Sequence, residues 1–162
     1  MEIHFSPIGT IHSPFHDLGD MPIQPSSECS APGTVEVLPE FTQGLIDLEG
    51  FSHIILLYFL HRSNQYTLSV TPYLDEKPHG VFATRAPRRP NPIGLSVVKL
   101  NRVEGNLLYV DNLDILDGTP LLDIKPYVPE FDSPPDFRLG WLESKRGNSK
   151  QARSDQRFTT QG

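Results

Sequence analysis

The sequence predicts a mainly β protein, a barrel or sandwich of short strands with few short helices and no Rossmann-type sheet. Three observations lead there. The 162 residues include 16 prolines, and proline removes a backbone donor and breaks helix interiors, which argues against a helical bundle. Short extended runs alternate with turn signals at fairly regular spacing. No alternation of strand and helix is visible, and neither G-x-G-x-x-G nor G-x-x-x-x-G-K-[ST] occurs, so both common nucleotide fingerprints are missing.

The elements follow in order. "EIHFSPIGTIHSPF" spaces Ile3, Phe5, Ile8 and Ile11 around a proline, the pattern of an edge or bulged strand. Leu18 to Gly33 is rich in Pro, Ser and Gly and reads as a long loop. "TVEVLP" alternates as a short strand, and Phe41–Phe51 forms either the one short helix or a pair of turns. "SHIILLYFLH" is a continuous apolar run and predicts a strand buried on both faces. "TLSVTPY" and "GVFATR" are two further short strands, the second ending at Arg85. "IGLSVVKLNRVEGNLLYVDNLDIL" predicts two strands joined by a tight hairpin at Glu104–Asn106, with Gly105 as the permissive residue. "PLLDIKPYVP" is the last extended stretch.

Length and charge bound the rest. At this size one domain is expected, covering 1–142, with a polar basic tail over 143–162. The chain carries a formal charge of -6, but the tail holds five Lys/Arg against two acids, so +3, and the body stands at -9. A tail with one aromatic and no periodicity is expected to be disordered, or to serve as a basic arm for a phosphate backbone. The single cysteine, Cys29, allows neither an intrachain disulfide nor a multi-cysteine zinc site, and fits a reducing cytoplasm. No signal peptide is expected from "MEIHFSPIGTIHSPF", and "IILLYFL" is too short to span a bilayer.

Three polar clusters stand at predicted strand ends, where a scaffold holds side chains still. "LHRS" places His61, Arg62 and Ser63 directly after the apolar run. "TRAPRRPNPIG" packs three arginines and three prolines into Thr84–Gly94. The prolines stiffen the segment, and Arg85, Arg88 and Arg89 offer planar donor forks for phosphate or carboxylate. "NLDILDGTPLLDIKPY" brings Asp114, Asp117 and Asp123 close in sequence. Turn chemistry accounts for Asp117, Gly118 and Pro120, whereas Asp114 and Asp123 interrupt apolar runs. Their carboxylates suit ligand hydroxyl or amino groups, or pairing with Arg85. The spacing expected of a divalent metal site is absent, so no metal is expected.

"GVFATRAPRRPNPIGLS", "LDILDGTPLLDIKPYVP" and "GLIDLEGFSHIILLYFLHR", with "IGTIHSPF" and "MPIQP", closely resemble the TsaA/YaeB-like family, also called the TrmO family, from about Ile8 to Phe131. The resemblance implies a small closed or partly open β-barrel that binds S-adenosylmethionine and forms a homodimer. It implies methylation of N6 of threonylcarbamoyl-adenosine beside the anticodon of tRNA. By the same resemblance, cofactor contacts fall on Ile23, Gln24 and Pro25, on His61, Arg62 and Ser63, on Arg85 and Leu95, and on Asp114, Asp117, Gly118, Thr119 and Pro120. The bacterial members carry a further C-terminal domain, where this chain has its short basic tail. A nitrogen conjugated to a carbonyl is a poor nucleophile until its proton is shared, so a general base is expected. Asp114 and Asp117 are the candidates by position, with His61 behind them. Arg85 is expected at the cofactor, and Arg88 and Arg89 at the phosphates of the tRNA anticodon loop.

Overall fold

The structure, a computed structural model, describes residues 1–17, 19 and 31–145. Among them run β1 (Gly9–His12), β2 (Gly33–Val37), β3 (His53–Phe59), β4 (Ser69–Val70), β5 (His79–Gly80), β6 (Ile93–Glu104), β7 (Leu107–Asp111) and β8 (Thr119–Pro126). Six of them close into a barrel in the order β1-β2-β7-β6-β3-β8, with β4 and β5 in a separate two-stranded sheet. Every pairing is antiparallel. The mainly β expectation holds, and the barrel is closed.

Closure decides what local reading left open. β1 is no edge strand: it pairs with β2 on one side and β8 on the other. Pro7, which has no donor to give, lies just before the ladder, while the Ile8 N–H already donates to the Leu121 carbonyl at 2.8 Å. Buried positions alternate along the core stretches of the strands, as pleating requires. Along β3, Ile54, Leu56 and Tyr58 are buried while Ile55 and Leu57 are half-exposed and Phe59 is exposed. The apolar run is therefore buried on one face and not both, because a single barrel has only one interior. Those three residues join Ile11, Val35, Val98, Leu108 and Leu121 in one core cluster.

The β6–β7 hairpin turns at Gly105, whose φ of 59° lies in the left-handed region. Asn106 locks the turn to β2 by donating Nδ2 to the Val37 carbonyl at 2.8 Å. A register shift between Leu100 and Arg102 bends the long β6, so that its first half pairs with β3 and its second with β7. Phe41–Phe51 resolves into 3-10 segments at Pro39–Leu45 and Leu48–Gly50.

"GVFATR" is not a strand. Only His79–Gly80 pairs, and the chain then closes a 3-10 turn over Val81–Ala83. Val81 is drawn inward beside Val70 and Ala86, and Thr84 Oγ1 ties the turn by donating to the Val81 carbonyl at 2.9 Å. Arg85 thus follows a turn and does not end a strand. Glu143–Lys145 belong to a 3-10 segment, Gly140–Lys145, and the remainder of the basic tail lies outside the described residues. Among the described residues no helix is long and apolar enough to cross a membrane.

Candidate functional site

β1, β3 and β7 run in one direction, and β2, β6 and β8 return. One end of the barrel is therefore built by three connections: 13–32, 60–92 and 112–118. The three polar clusters of the sequence fall on these connections or on the first residues of the strands that leave them, except Asp123, which lies within β8 and pairs with Lys125 at 2.7 Å. Residues far apart in the chain share one rim because of this topology. Ile23, Gln24, Pro25 and Cys29 belong to the first connection by sequence but lie outside the described residues.

The best-defined group at this end is a hydrogen-bonded chain from Tyr58 through Ser96 to Asp114. Lys99 pairs with Asp111 in the β6–β7 ladder. Three residues back along β6 and three on from Asp111, Ser96 faces Asp114 and donates Oγ–H to Oδ1 at 2.6 Å. The single hydroxyl proton of Ser96 is then committed, so the 3.0 Å contact between Tyr58 Oη and Ser96 Oγ is donated by Tyr58. Ser96 is buried at 3% exposure. Burial pushes the Asp114 carboxyl up to about 6, against the opposing pull of the Ser96 hydrogen bond and the Arg85 charge. Burial also drives the Tyr58 phenol well above its usual range, with the Asp114 charge adding to it. A carboxyl that titrates near neutrality, at the end of a fixed hydroxyl chain, is suited to accept a proton.

Tyr58 fits only because residue 94 is glycine. Gly94 pairs directly with Tyr58 across β3 and β6, and a Cβ there would overlap the phenol ring. The glycine that closes "PNPIG" is thus a steric requirement of the hydroxyl chain.

Asp117 is placed differently. Its Oδ1 accepts from the Ser13 N–H at 3.0 Å, and its own N–H donates to the Phe15 carbonyl at 2.7 Å. His12 Nδ1 and His16 Nδ1 stand 3.6 and 3.5 Å from its carboxylate. It fastens the exit of β1 to the turn before β8, and it is not part of the Tyr58 chain. Thr119 donates Oγ1–H to the Leu116 carbonyl at 2.6 Å. Its 3.4 Å contact with His61 Nδ1 is then donated by the imidazole, which assigns the proton to Nδ1 and leaves Nε2 an acceptor. Burial, and next the Arg62 charge, lower the His61 pKa. Both effects favour the neutral imidazole, which can accept through Nε2.

The arginine segment is tied by hydrogen bonds at several points, and its parts differ. Arg85 is exposed, with its charge felt by both Asp114 and Tyr58. Arg89 is drawn into the loop itself: Nη1 donates to the carbonyls of Thr84 at 2.9 Å, Val81 at 3.2 Å and Ala86 at 3.4 Å. Arg88 is half-buried, and its carbonyl accepts from the Thr67 N–H at 3.4 Å. Ser63 ties the second cluster to the first by donating Oγ–H to the Pro87 carbonyl at 3.0 Å. Leu95 points the other way from Ser96, out of the barrel beside Leu57. The 3-10 segment at Gly140–Lys145 braces the loop from outside. There Trp141 donates Nε1–H to the Ala83 carbonyl at 2.8 Å and stacks on His79 at 4.5 Å between centroids.

Sequence reasoning missed Tyr58, Ser96, Ser13 and Trp141. Ser96 carried a signal: a lone hydroxyl at an inward position of an apolar strand needs a partner. Among the described residues no group of three or more His, Cys, Asp or Glu is arranged to hold a metal ion.

Residues 10–133 match the model of the tRNA-methyltransferase O N-terminal domain. A probable S-adenosyl-L-methionine-binding protein of Pyrococcus abyssi is 58% identical over 96% of this chain and 85% of its own length. The human tRNA (adenine(37)-N6)-methyltransferase is 37% identical over 79% of this chain and 31% of its own. The crystal structure of TrmO from Pseudomonas aeruginosa superposes with a TM-score of 0.74 at 43% identity, over 87% of this chain and 63% of that one. The chain thus spans most of the Pyrococcus relative, under two thirds of the Pseudomonas protein and under a third of the human one.

Proposed function

The chain belongs to the tRNA-methyltransferase O family, and from that premise we propose that it is an S-adenosylmethionine-dependent methyltransferase acting on adenine N6 in tRNA. The acceptor is threonylcarbamoyl-adenosine beside the anticodon. The observation that carries this reading is the Tyr58–Ser96–Asp114 chain, which ends in a carboxyl poised near pH 6 at the rim where the three clusters meet.

The donor set fits the cofactor. Its ammonium and ribose hydroxyls call for carboxylate and carbonyl acceptors, and its carboxylate calls for a cation. Asp117, the Gly118–Pro120 backbone and His61 Nε2 supply acceptors, while Arg62 and Arg85 supply the cation. Bound there, S-adenosylmethionine supplies a methyl carbon already activated by its sulfonium. The protein's work is then alignment and removal of the N6 proton. Asp114 takes that proton, and Ser96, held by Tyr58, keeps the carboxyl in one orientation. Arg85 keeps the carboxylate form populated near neutral pH.

Two copies associate, on this reading, through the outer β3–β6 face, where Phe59, Ile93 and Leu95 are each at least 40% exposed. Sedimentation equilibrium reads this directly, and a monomer at micromolar protein would exclude it.

Incubating the protein with S-adenosylmethionine and tRNA carrying threonylcarbamoyl-adenosine, then digesting for nucleoside mass spectrometry, is expected to reveal the N6-methylated nucleoside. Binding heat for the cofactor with no methylated nucleoside would reduce the protein to a binding module. Ser96→Ala removes the hydrogen bond that holds the Asp114 carboxyl down. The acid limb of the rate profile is therefore expected to move above pH 6, and an unmoved limb would detach Ser96 from Asp114.

A further inference from the structure

Phe82 stands out at this end of the molecule. It is 74% exposed, beside Val81 at 1%, on a turn the protein holds with unusual care. The Val81 N–H donates to the Leu68 carbonyl at 3.0 Å. Arg89 donates to the carbonyl on each side of the turn, Trp141 donates to Ala83, and Thr84 closes the turn with its hydroxyl. The Arg89 guanidinium also lies over the Phe82 ring, 5.8 Å from its centroid. The adjoining segment exposes Tyr66 and Leu68, each at 62%. An isolated exposed aromatic is ordinary, but one fixed by this many hydrogen bonds and backed by a cation is a formed surface.

Charge identifies the occupant. In a chain with 20 acids, no Asp or Glu occurs between Glu76 and Glu104, a run that holds Arg85, Arg88 and Arg89. An apolar surface meant for a protein partner has no need of such a run, whereas a polyanion does. Flat aromatic rings among arginines are the means by which unpaired bases are held without sequence readout.

We propose that Phe82 is a stacking platform for an unpaired nucleobase of the substrate RNA, adjacent to the base that enters the Asp114 site. Arg89 fixes the ring from the loop side, and the acid-free segment receives the flanking phosphates. This rests on the tRNA reading above, and it adds a binding residue remote from the proton chain. Stacking on a ring removes no counterion, so its signature is an affinity loss without a change in salt dependence.

The test compares Phe82→Ala, Phe82→Leu and Phe82→Trp with the unaltered chain, by fluorescence anisotropy on an anticodon stem-loop RNA over a salt series. Alanine and leucine are each expected to weaken binding about 5- to 150-fold, the range covered by a lost base–aromatic stack. Tryptophan is expected to restore affinity. The slope of log K against log salt, and the heat of S-adenosylmethionine binding, should stay as in the unaltered chain. Affinity unchanged in the alanine variant, while the unaltered chain binds and methylates tRNA, would overturn the platform and leave the function standing. Leucine binding as well as phenylalanine would also overturn it, since apolar contact alone would then suffice. A variant that sediments differently but binds RNA normally would assign Phe82 to contact with a second copy, and no RNA binding by the unaltered chain would end both readings.

Discussion

Replacing Asp114 with asparagine is expected to lower methyl transfer about 10²- to 10⁴-fold, the span that a positioned general base contributes, while leaving the fold as stable or more so. The two effects have one cause. Asparagine keeps an oxygen where Ser96 donates, so the Tyr58–Ser96 geometry is retained. It cannot take a proton. The stability sign follows from the carboxyl being held at about 6 against an ordinary 3.8. Above pH 6 the folded protein carries a charge that burial disfavours, and the unfolded chain carries it at no cost. As the pH falls from about 6 towards 4, the folded state takes up a proton before the unfolded state does, and this site's contribution to stability rises. Removing the charge should therefore raise the unfolding free energy measured by urea titration at pH 8, by at most about 3 kcal/mol for a displacement of this size, with little gain at pH 4. In the unaltered enzyme kcat should fall as the pH drops through about 6, and the variant's residual rate should lack that limb. A variant with near-normal turnover would remove Asp114 as the base. One that loses activity and stability together at pH 8 would make it a structural residue.

Asp114 was legible in the sequence as a candidate, because a carboxylate interrupting "LDIL" has no turn to serve. Its partners were not. Tyr58 and Ser96 are ordinary residues within apolar strands, and only the β3–β6 and β6–β7 registers set them in line with Asp114. The hairpin at Gly105 was legible because it is local, requiring one permissive residue between two alternating runs. The pairing of β1 on both sides depends on barrel closure, a contact between distant segments that no window of sequence contains. Leu95 could have been placed by parity: Ser96 shares its face with Val98 and Leu100, which are buried, so Leu95 must point outward. The arginine segment was read as a strand end at Arg85, facing the cofactor, with Arg88 and Arg89 set apart for phosphates. The structure divides it further: Arg89 turns back into its own loop, with Nη1 directed at the carbonyls of Val81, Thr84 and Ala86.

Gly94→Ala is expected to be among the most damaging small changes in the chain. The added Cβ would overlap three atoms of the Tyr58 ring, and that ring cannot yield easily. It is 7% exposed and packed in the main core cluster, and its hydroxyl is bound to Ser96. Overpacking a close-packed interior costs about 1–3 kcal/mol and sometimes more. The upper part of that range applies here, because relief requires moving either the ring or the β3–β6 ladder. Moving the ring withdraws the Tyr58 hydroxyl from Ser96, so turnover should fall together with the denaturation midpoint, unlike the separation expected for Asp114→Asn. A double-mutant cycle isolates the cause. In a Tyr58→Ala background the alanine at 94 has no ring to meet, and its added cost should shrink well below that in the unaltered background. A cost below about 1 kcal/mol in the unaltered background would show that the ring does not sit over residue 94. An equal cost in both backgrounds would trace the damage to the backbone, and the link from "PNPIG" to the Asp114 carboxyl through Tyr58 would be lost.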